Sequence, residues 1–463
     1  MKRWVALALL AAACAPEPAA APPQPAPWVA RPVEERKGSP PSAEQNALDE
    51  IDRALKYMAE VRELPVKDQV AGTVIAREAL LARLRSEVED DLDPSLVLGN
   101  TEFLFALNLA PARFDFLGSV LELFTSEIAG FYDPGEKRMY LLADLDGEAR
   151  RATLWHELVH ALQDQHYDLR PLVKWKPDEG DRVSALQCLS EGDATSAMMD
   201  AILSPQGKRA IDVPGSLLKP GSAALESSPK LAHIPGILRR SVIAPYADGL
   251  DFTHHLRRLK GWAGVDSAWR SPPLSTEQVL HPEKYIAGER PEPPPLPPPP
   301  AGGPSELVYR DVVGEQALRL IFEDWMPAST AAESASGWSG DRVAVYKDGD
   351  SRAVAIRLRY DDEAMSLRAA TAFVRGGLTP EIDDQPTDGR PALLAVTADA
   401  AQQAFKTGRF CQLRARRGPQ AVVRRGRDFA VVAGTFSRAG SNPQGERTCD
   451  QALKWADQIL SAR

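Results

Sequence analysis

Apolar residues recur at helical spacing through the first part of the chain and give way later to alternating helix-like and strand-like runs. Ser42-Ala43-Glu44-Gln45 has the capping-box pattern, in which side chains satisfy the free N–H groups of a helix start. Leu48, Ile51, Leu55, Met58 and Val61 follow at three- and four-residue steps, and Leu64-Pro65 ends the run, so a helix is expected there. A second amphipathic helix is expected from about Val74 through Leu80, Leu81 and Leu84, with further helices over roughly 95–107 and 114–127. Phe131 to Leu141 reads as a turn at Asp133-Pro134-Gly135 with strand on both sides. Asp146 can cap the next helix, which runs to about His166, and helical patterns return near 183–203 and 249–260.

Residues 291–300, Pro-Glu-Pro-Pro-Pro-Leu-Pro-Pro-Pro-Pro, interrupt this pattern and are followed by Ala301-Gly302-Gly303-Pro304. Such a run favours polyproline II and forms no core of its own, so it marks a boundary or a long excursion. Beyond it, Gly314–Trp325, Ala364–Val374 and Asp450–Leu460 read as helices, and Val343–Tyr346, Ala353–Tyr360, Ala421–Val423 and Phe429–Thr435 as strands. The fold class expected is α+β, a mostly helical domain with a short edge sheet followed by a smaller α+β domain. No internal repeat is evident.

Composition changes this picture little. Of 463 residues 44% are hydrophobic and 26% charged, as in ordinary globular proteins. The net charge of −9, with both signs interspersed, offers no basic surface, and no nucleic-acid partner is expected. The N-terminus adds more. Lys2 and Arg3 precede the apolar run Trp4–Ala13, the layout of a secretory signal and too short to span a bilayer. Leu10-Ala11-Ala12-Ala13-Cys14 resembles a bacterial lipoprotein signal, with Ala11 where that pattern prefers Leu; the resemblance implies lipid on Cys14 and export to the cell envelope, anchored to a membrane. The expected organisation is signal 1–13, flexible Pro/Ala-rich tether 14–41, first domain 42–289, Pro-rich linker 290–305 and C-terminal domain 306–463. In an exported chain Cys411 and Cys449, which share the C-terminal region, are the natural disulfide pair, and Cys188, in an apolar stretch, reads as a buried core thiol.

His156-Glu157-Leu158-Val159-His160 carries the chemistry. Residues four apart on a helix lie one turn above another on one face, so two imidazoles can bind one zinc ion in tetrahedral geometry. Glu157 is rotated by about 100° and borders the ion without completing the ligand pair, the place of a general base. With 7 His in the chain, a chance match is expected on the order of once in a hundred such sequences.

These residues resemble the zincin metallopeptidases, and the resemblance extends to the preceding strand and to Ser190-Glu191-Gly192-Asp193-Ala194-Thr195. It implies one Zn2+, a peptide or protein substrate, and hydrolysis by water with Glu157 as base and then acid. In the gluzincin subgroup a downstream helix supplies a Glu as third ligand, here Glu191; that family often has an Asp four residues later, where this chain has Thr195. His166 is the competing ligand, at the spacing of the third His in the metzincin pattern, but the helix-ending Gly of that pattern is Gln163 here. The layout also resembles a group of bacterial exported lipoproteins, through Ala129–Pro134, His156–Gln165, Ser275–Tyr285 and Gly337–Arg342, without naming a substrate. The strand near Arg138–Leu142 is either a cleft edge that pairs with an extended peptide or an ordinary hairpin strand. His281 and Tyr285 are candidates for stabilising the oxyanion, or belong to a structural loop. Two rivals stand beside the peptidase: a non-catalytic surface lipoprotein with a structural or degenerate zinc site and a binding C-terminal domain, and a zinc hydrolase of a non-peptide amide.

Overall fold

The first apolar run forms helix α1 (Ala43–Arg62), with Ile51, Leu55 and Met58 buried. The computed structural model describes residues 43–91, 93–127, 130–144, 147–170, 176–213, 228–384, 396–434 and 449–462. The signal, Cys14, the tether and Asp146 lie outside these residues. Val74, expected on a helix, sits instead in strand β1 (Ala71–Ile75), and helix α2 (Arg77–Asp91) begins after it. Thr73, Val74 and Ile75 are β-branched and suit a strand, whose pairing partner lies more than sixty residues on. Helices α3 (Pro94–Ala106) and α4 (Phe116–Glu127) lead to the hairpin of β2 (Gly130–Asp133) and β3 (Arg138–Leu142). Its turn is closed by Asp133 Oδ1, which accepts from the N–H groups of Gly135 and Glu136. The sheet order is β1-β3-β2, with β1 parallel and β2 antiparallel to β3.

Three long helices follow: α5 (Gly147–Tyr167), α6 (Gly180–Leu203) and α7 (Gly236–Lys260). The sequence pattern marks only 249–260 of α7, because Pro245 lies inside it and Pro breaks most helices. Burial of Tyr246, Leu250, Phe252 and Leu256 carries the helix across that proline. Short helices α8 (Trp262–Arg270), α9 (Thr276–Leu280) and α10 (Pro282–Ala287) complete this half.

The C-terminal half is a six-stranded antiparallel sheet, β4 (Glu306–Asp311), β5 (Trp338–Asp348), β6 (Ser351–Tyr360), β7 (Arg409–Arg414), β8 (Gly418–Arg425) and β9 (Asp428–Gly434), in the order β4-β5-β6-β9-β8-β7. Alternate residues serve its two faces. Ala344, Tyr346, Ala355, Val423 and Val432 pack against Trp455 and Ile459 of the last helix, α15 (Cys449–Ser461). Val343, Val345, Ile356, Val422 and Val431 face the helices α11 (Gly314–Phe322), α12 (Ala328–Ala335), α13 (Glu363–Leu378) and α14 (Ala398–Ala404). The fold is α+β.

The two halves share a core. Phe103 and Leu104 of α3 belong to the same apolar cluster as the C-terminal sheet. The buried Arg417 guanidinium donates to the carbonyls of Phe105 and Ala110. The Pro-rich segment is no free tether either. Pro294, Pro297 and Pro300 are buried, one in three, matching the three residues per turn of polyproline II. Tyr346 Oη and Trp455 Nε1 donate to the carbonyls of Pro297 and Pro298, fastening the segment across the sheet.

Cys411 of β7 and Cys449 at the start of α15 form a disulfide, Cα atoms 5.7 Å apart, and Cys188 is a buried free thiol. The bridge closes a loop with a sequence separation of 38. Replacing both cysteines with serine is expected to lower stability by about 2–4 kcal/mol, read from denaturant midpoints. Thiol labelling of the unreduced, unfolded protein should find Cys188 and neither member of the pair.

Candidate metal centre

Helix α5 runs through the core of the first half, with α1, α6 and the small sheet around it. Leu154, Leu158, Val159, Ala161 and Leu162 are all within 1% of full burial, and the polar residues on the same turns go inside with them. Helices α6 and α7 touch backbone to backbone at a pair of glycines. A Cβ on Gly192 would stand 2.0 Å from the Gly249 carbonyl oxygen, and one on Gly249 would stand 1.9 Å from that of Cys188. This approach sets α6 tight against α7 at the turn that carries Glu191, and the other side of α6 packs on α5.

His156 Nε2 lies 3.0 Å from both Glu191 Oε2 and His160 Nε2, and His160 Nε2 lies 3.6 Å from Glu191 Oε2. Ligand atoms about 2.0–2.1 Å from a tetrahedral zinc ion stand about 3.3 Å apart, so this triangle has the size of one face of such a site. All three residues are buried, at 1%, 1% and 0% exposure. Glu191 Oε1 has no hydrogen-bond partner among the described residues, which leaves a buried carboxylate oxygen for a cation to satisfy. The group could hold a metal ion. Burial raises the Glu191 carboxyl, but the His160 and His156 imidazoles outweigh it and hold Glu191 below the usual range. Burial likewise lowers His160, and the Glu191 carboxylate reverses this and raises it.

Glu157 stays outside the triangle. Its Oε2 accepts from the Tyr132 N–H at 2.9 Å, and burial pushes its carboxyl above the ordinary value against the pull of the two imidazoles. Of the two readings of Arg138–Leu142, the sheet order gives the hairpin strand and not the cleft edge. That strand is central in the sheet, with its backbone paired to β1 and β2, so it has no edge to offer a peptide. The edge strand on the α5 side is β2, whose Tyr132 N–H points to Glu157.

His166 is not brought to the cluster. Helix α5 continues to Tyr167, and the His166 Nε2–H donates to the Pro65 carbonyl at 2.8 Å. Asp193 lies inside. It accepts from the guanidinium of Arg62 and from Trp269 Nε1, whereas Thr195 Oγ1 has no partner among the described residues. A residue with no sequence signal, Tyr246, stacks on His156 with ring centroids 5.8 Å apart.

His281 and Tyr285 are engaged elsewhere. His281 Nε2–H donates to Glu315 Oε1 at 2.8 Å, and Tyr285 Oη donates to the Ser271 carbonyl. Their segment joins the two halves: Thr276 Oγ1 accepts from the Gln316 N–H at 3.0 Å, and the Lys284 ammonium sits 2.7–2.9 Å from Glu277, Glu289 and, across the boundary, Asp361. That second acidic group is therefore filled by a lysine. His281→Ala is expected to leave metal uptake near wild type and to cost about 1–3 kcal/mol, the penalty for a buried Glu315 left without its donor. Melting curves beside a metal assay check this, and lower metal uptake with unchanged stability would contradict it.

A family model described as a domain of unknown function (DUF8575) matches residues 305–439. The matched stretch lies in the C-terminal half and contains none of the residues of the metal cluster. No curated protein and no solved structure matches the chain.

Proposed function

We propose that this protein is a zinc-dependent peptidase of the gluzincin type, exported and anchored to a membrane by lipid on Cys14. The observation that carries the reading is the meeting of His156, His160 and Glu191 in one triangle with Glu157 beside it. Two imidazoles and a carboxylate leave a fourth tetrahedral position open, the donor set of a catalytic rather than a structural zinc. When bound, the ion would supply a Lewis acid that polarises the scissile carbonyl and makes water a stronger nucleophile. Glu157 takes the proton of the attacking water on a carboxylate oxygen and hands it to the departing amine nitrogen. The Tyr132 N–H orients that carboxylate. No described helix is long and apolar enough to cross a membrane, so attachment in this reading rests on the lipid.

Burial of all three ligands favours the rival, a closed structural site in a binding protein. Metal analysis of the purified full chain, combined with cleavage of a broad peptide library, separates the readings. About one zinc per chain, with cleavage lost on chelation and restored by zinc, is expected. Bound zinc without cleavage of any library peptide would favour the structural site or a non-peptide amide substrate. A chain that takes up no metal would overturn both zinc readings.

A further inference from the structure

We infer that Gln163 is a positioning residue for the metal centre: its side-chain amide fixes His160 as the Nδ1–H tautomer and so aims the Nε2 lone pair into the ligand triangle. Gln163 follows His160 by three residues on α5 and is fully buried. Its Oε1 lies 2.9 Å from His160 Nδ1, and its Nε2 lies 3.0 Å from the Ser190 carbonyl and 3.2 Å from Asp193 Oδ2. The amide orientation follows from its partners. A backbone carbonyl and a carboxylate only accept, so the amide must turn its NH2 toward them and its oxygen toward His160. The Ser190 hydroxyl also lies 3.2 Å from Nδ1, but its proton goes to the nearer amide oxygen, so Nδ1 faces only acceptors and carries the proton, which leaves Nε2 unprotonated where the metal would sit. Ser190 Oγ donates to the same amide oxygen at 2.9 Å, which holds it in place.

The chain of contacts continues outward. Asp193 is held by the guanidinium of Arg62 at the end of α1 and by Trp269 Nε1 of α8. Arg62 is itself fully buried and also reaches Asp266 at 2.8 Å. The support for the metal centre thus runs Arg62, Asp193, Gln163, His160 and approaches His160 through an amide. Thr195 Oγ1, four residues after Glu191, has no hydrogen-bond partner among the described residues. This inference rests on reading His156, His160 and Glu191 as metal ligands.

The test measures zinc affinity of the full chain by competition with a chromophoric chelator, the cobalt(II) visible spectrum, and the melting temperature without metal. Gln163→Met keeps the volume and removes the acceptor. It is expected to weaken zinc binding about 10–100-fold and to alter the cobalt spectrum. Imidazole 15N–1H correlation spectra of the wild-type protein read the tautomer directly, and a proton on Nδ1 of His160 is expected. Near wild-type affinity and spectrum in a folded Met variant would overturn the inference, because a residue that only fills space is replaced by methionine without loss. Where the Met variant does not fold, the spectra decide: a His160 that carries its proton on Nε2 rather than Nδ1 in the zinc-free wild-type protein also overturns the role. A wild-type chain that binds no zinc is a different failure, that of the metal reading itself.

Discussion

Glu157→Gln is expected to keep its zinc and to cleave peptides at least about 100-fold more slowly. The substitution preserves shape, and the new amide oxygen still accepts the Tyr132 N–H that the carboxylate accepts at 2.9 Å, so the fold around α5 has no reason to change. None of the three ligand side chains is touched, since the triangle is closed by His156, His160 and Glu191. What is lost, if the protein is the peptidase proposed above, is the group that takes a proton from water and gives it to a leaving nitrogen. A factor of 100 is about 2.7 kcal/mol of transition-state stabilisation. The measurement pairs zinc content with kcat/KM on a peptide that the wild-type protein cleaves. Equal rates in the two proteins would sink the mechanism, and loss of zinc in the variant would mean that Glu157 belongs to the ligand set.

The centre of the site is legible because its geometry is local. A four-residue step on a helix puts His156 and His160 on one face whatever the rest of the chain does, and Glu157 is placed by the same rule. Glu191 needs a second helix packed on the first, and only its resemblance to a known ligand pattern points to it. The parts that escape the sequence depend on contacts between distant segments. Arg138–Leu142 reads equally as a cleft edge or a hairpin strand, and only the pairing of β1, far upstream, with its other side decides for the second. His281 finds Glu315 in the other half of the molecule, a partner that no spacing rule reveals. Tyr246 reaches His156 only because α7 runs unbroken through Pro245, against a cost of about 3 kcal/mol for proline in a helix interior. Gln163 is read in sequence only as the residue that stands where a metzincin has glycine. Its bond to His160 lies within α5, but the bonds to Ser190 and Asp193 that turn its amide appear only once α6 is folded against α5.

Glu191→Ala should strip the zinc under moderate chelation, whereas His166→Ala should hold it almost as well as wild type. Both residues are plausible third ligands by spacing alone, and the difference lies in where helix α5 ends. Gln163 and its neighbours continue the helix to Tyr167, which carries His166 about 15 Å along the axis and about 280° around it from His156. At that distance its imidazole cannot share an ion with His156, and its Nε2–H is already given to the Pro65 carbonyl. Losing that single bond costs about 1 kcal/mol of stability and nothing at the cluster. Glu191, by contrast, places Oε2 3.0 Å from His156 Nε2 and supplies the negative charge that offsets a divalent cation between two neutral imidazoles. Alanine there leaves two nitrogen ligands and no anion. Zinc per chain after dialysis against graded chelator separates the cases. Retention by the Glu191 variant with loss from the His166 variant would reverse the ligand assignment and require α5 to end before Gln163 in the metal-bound protein.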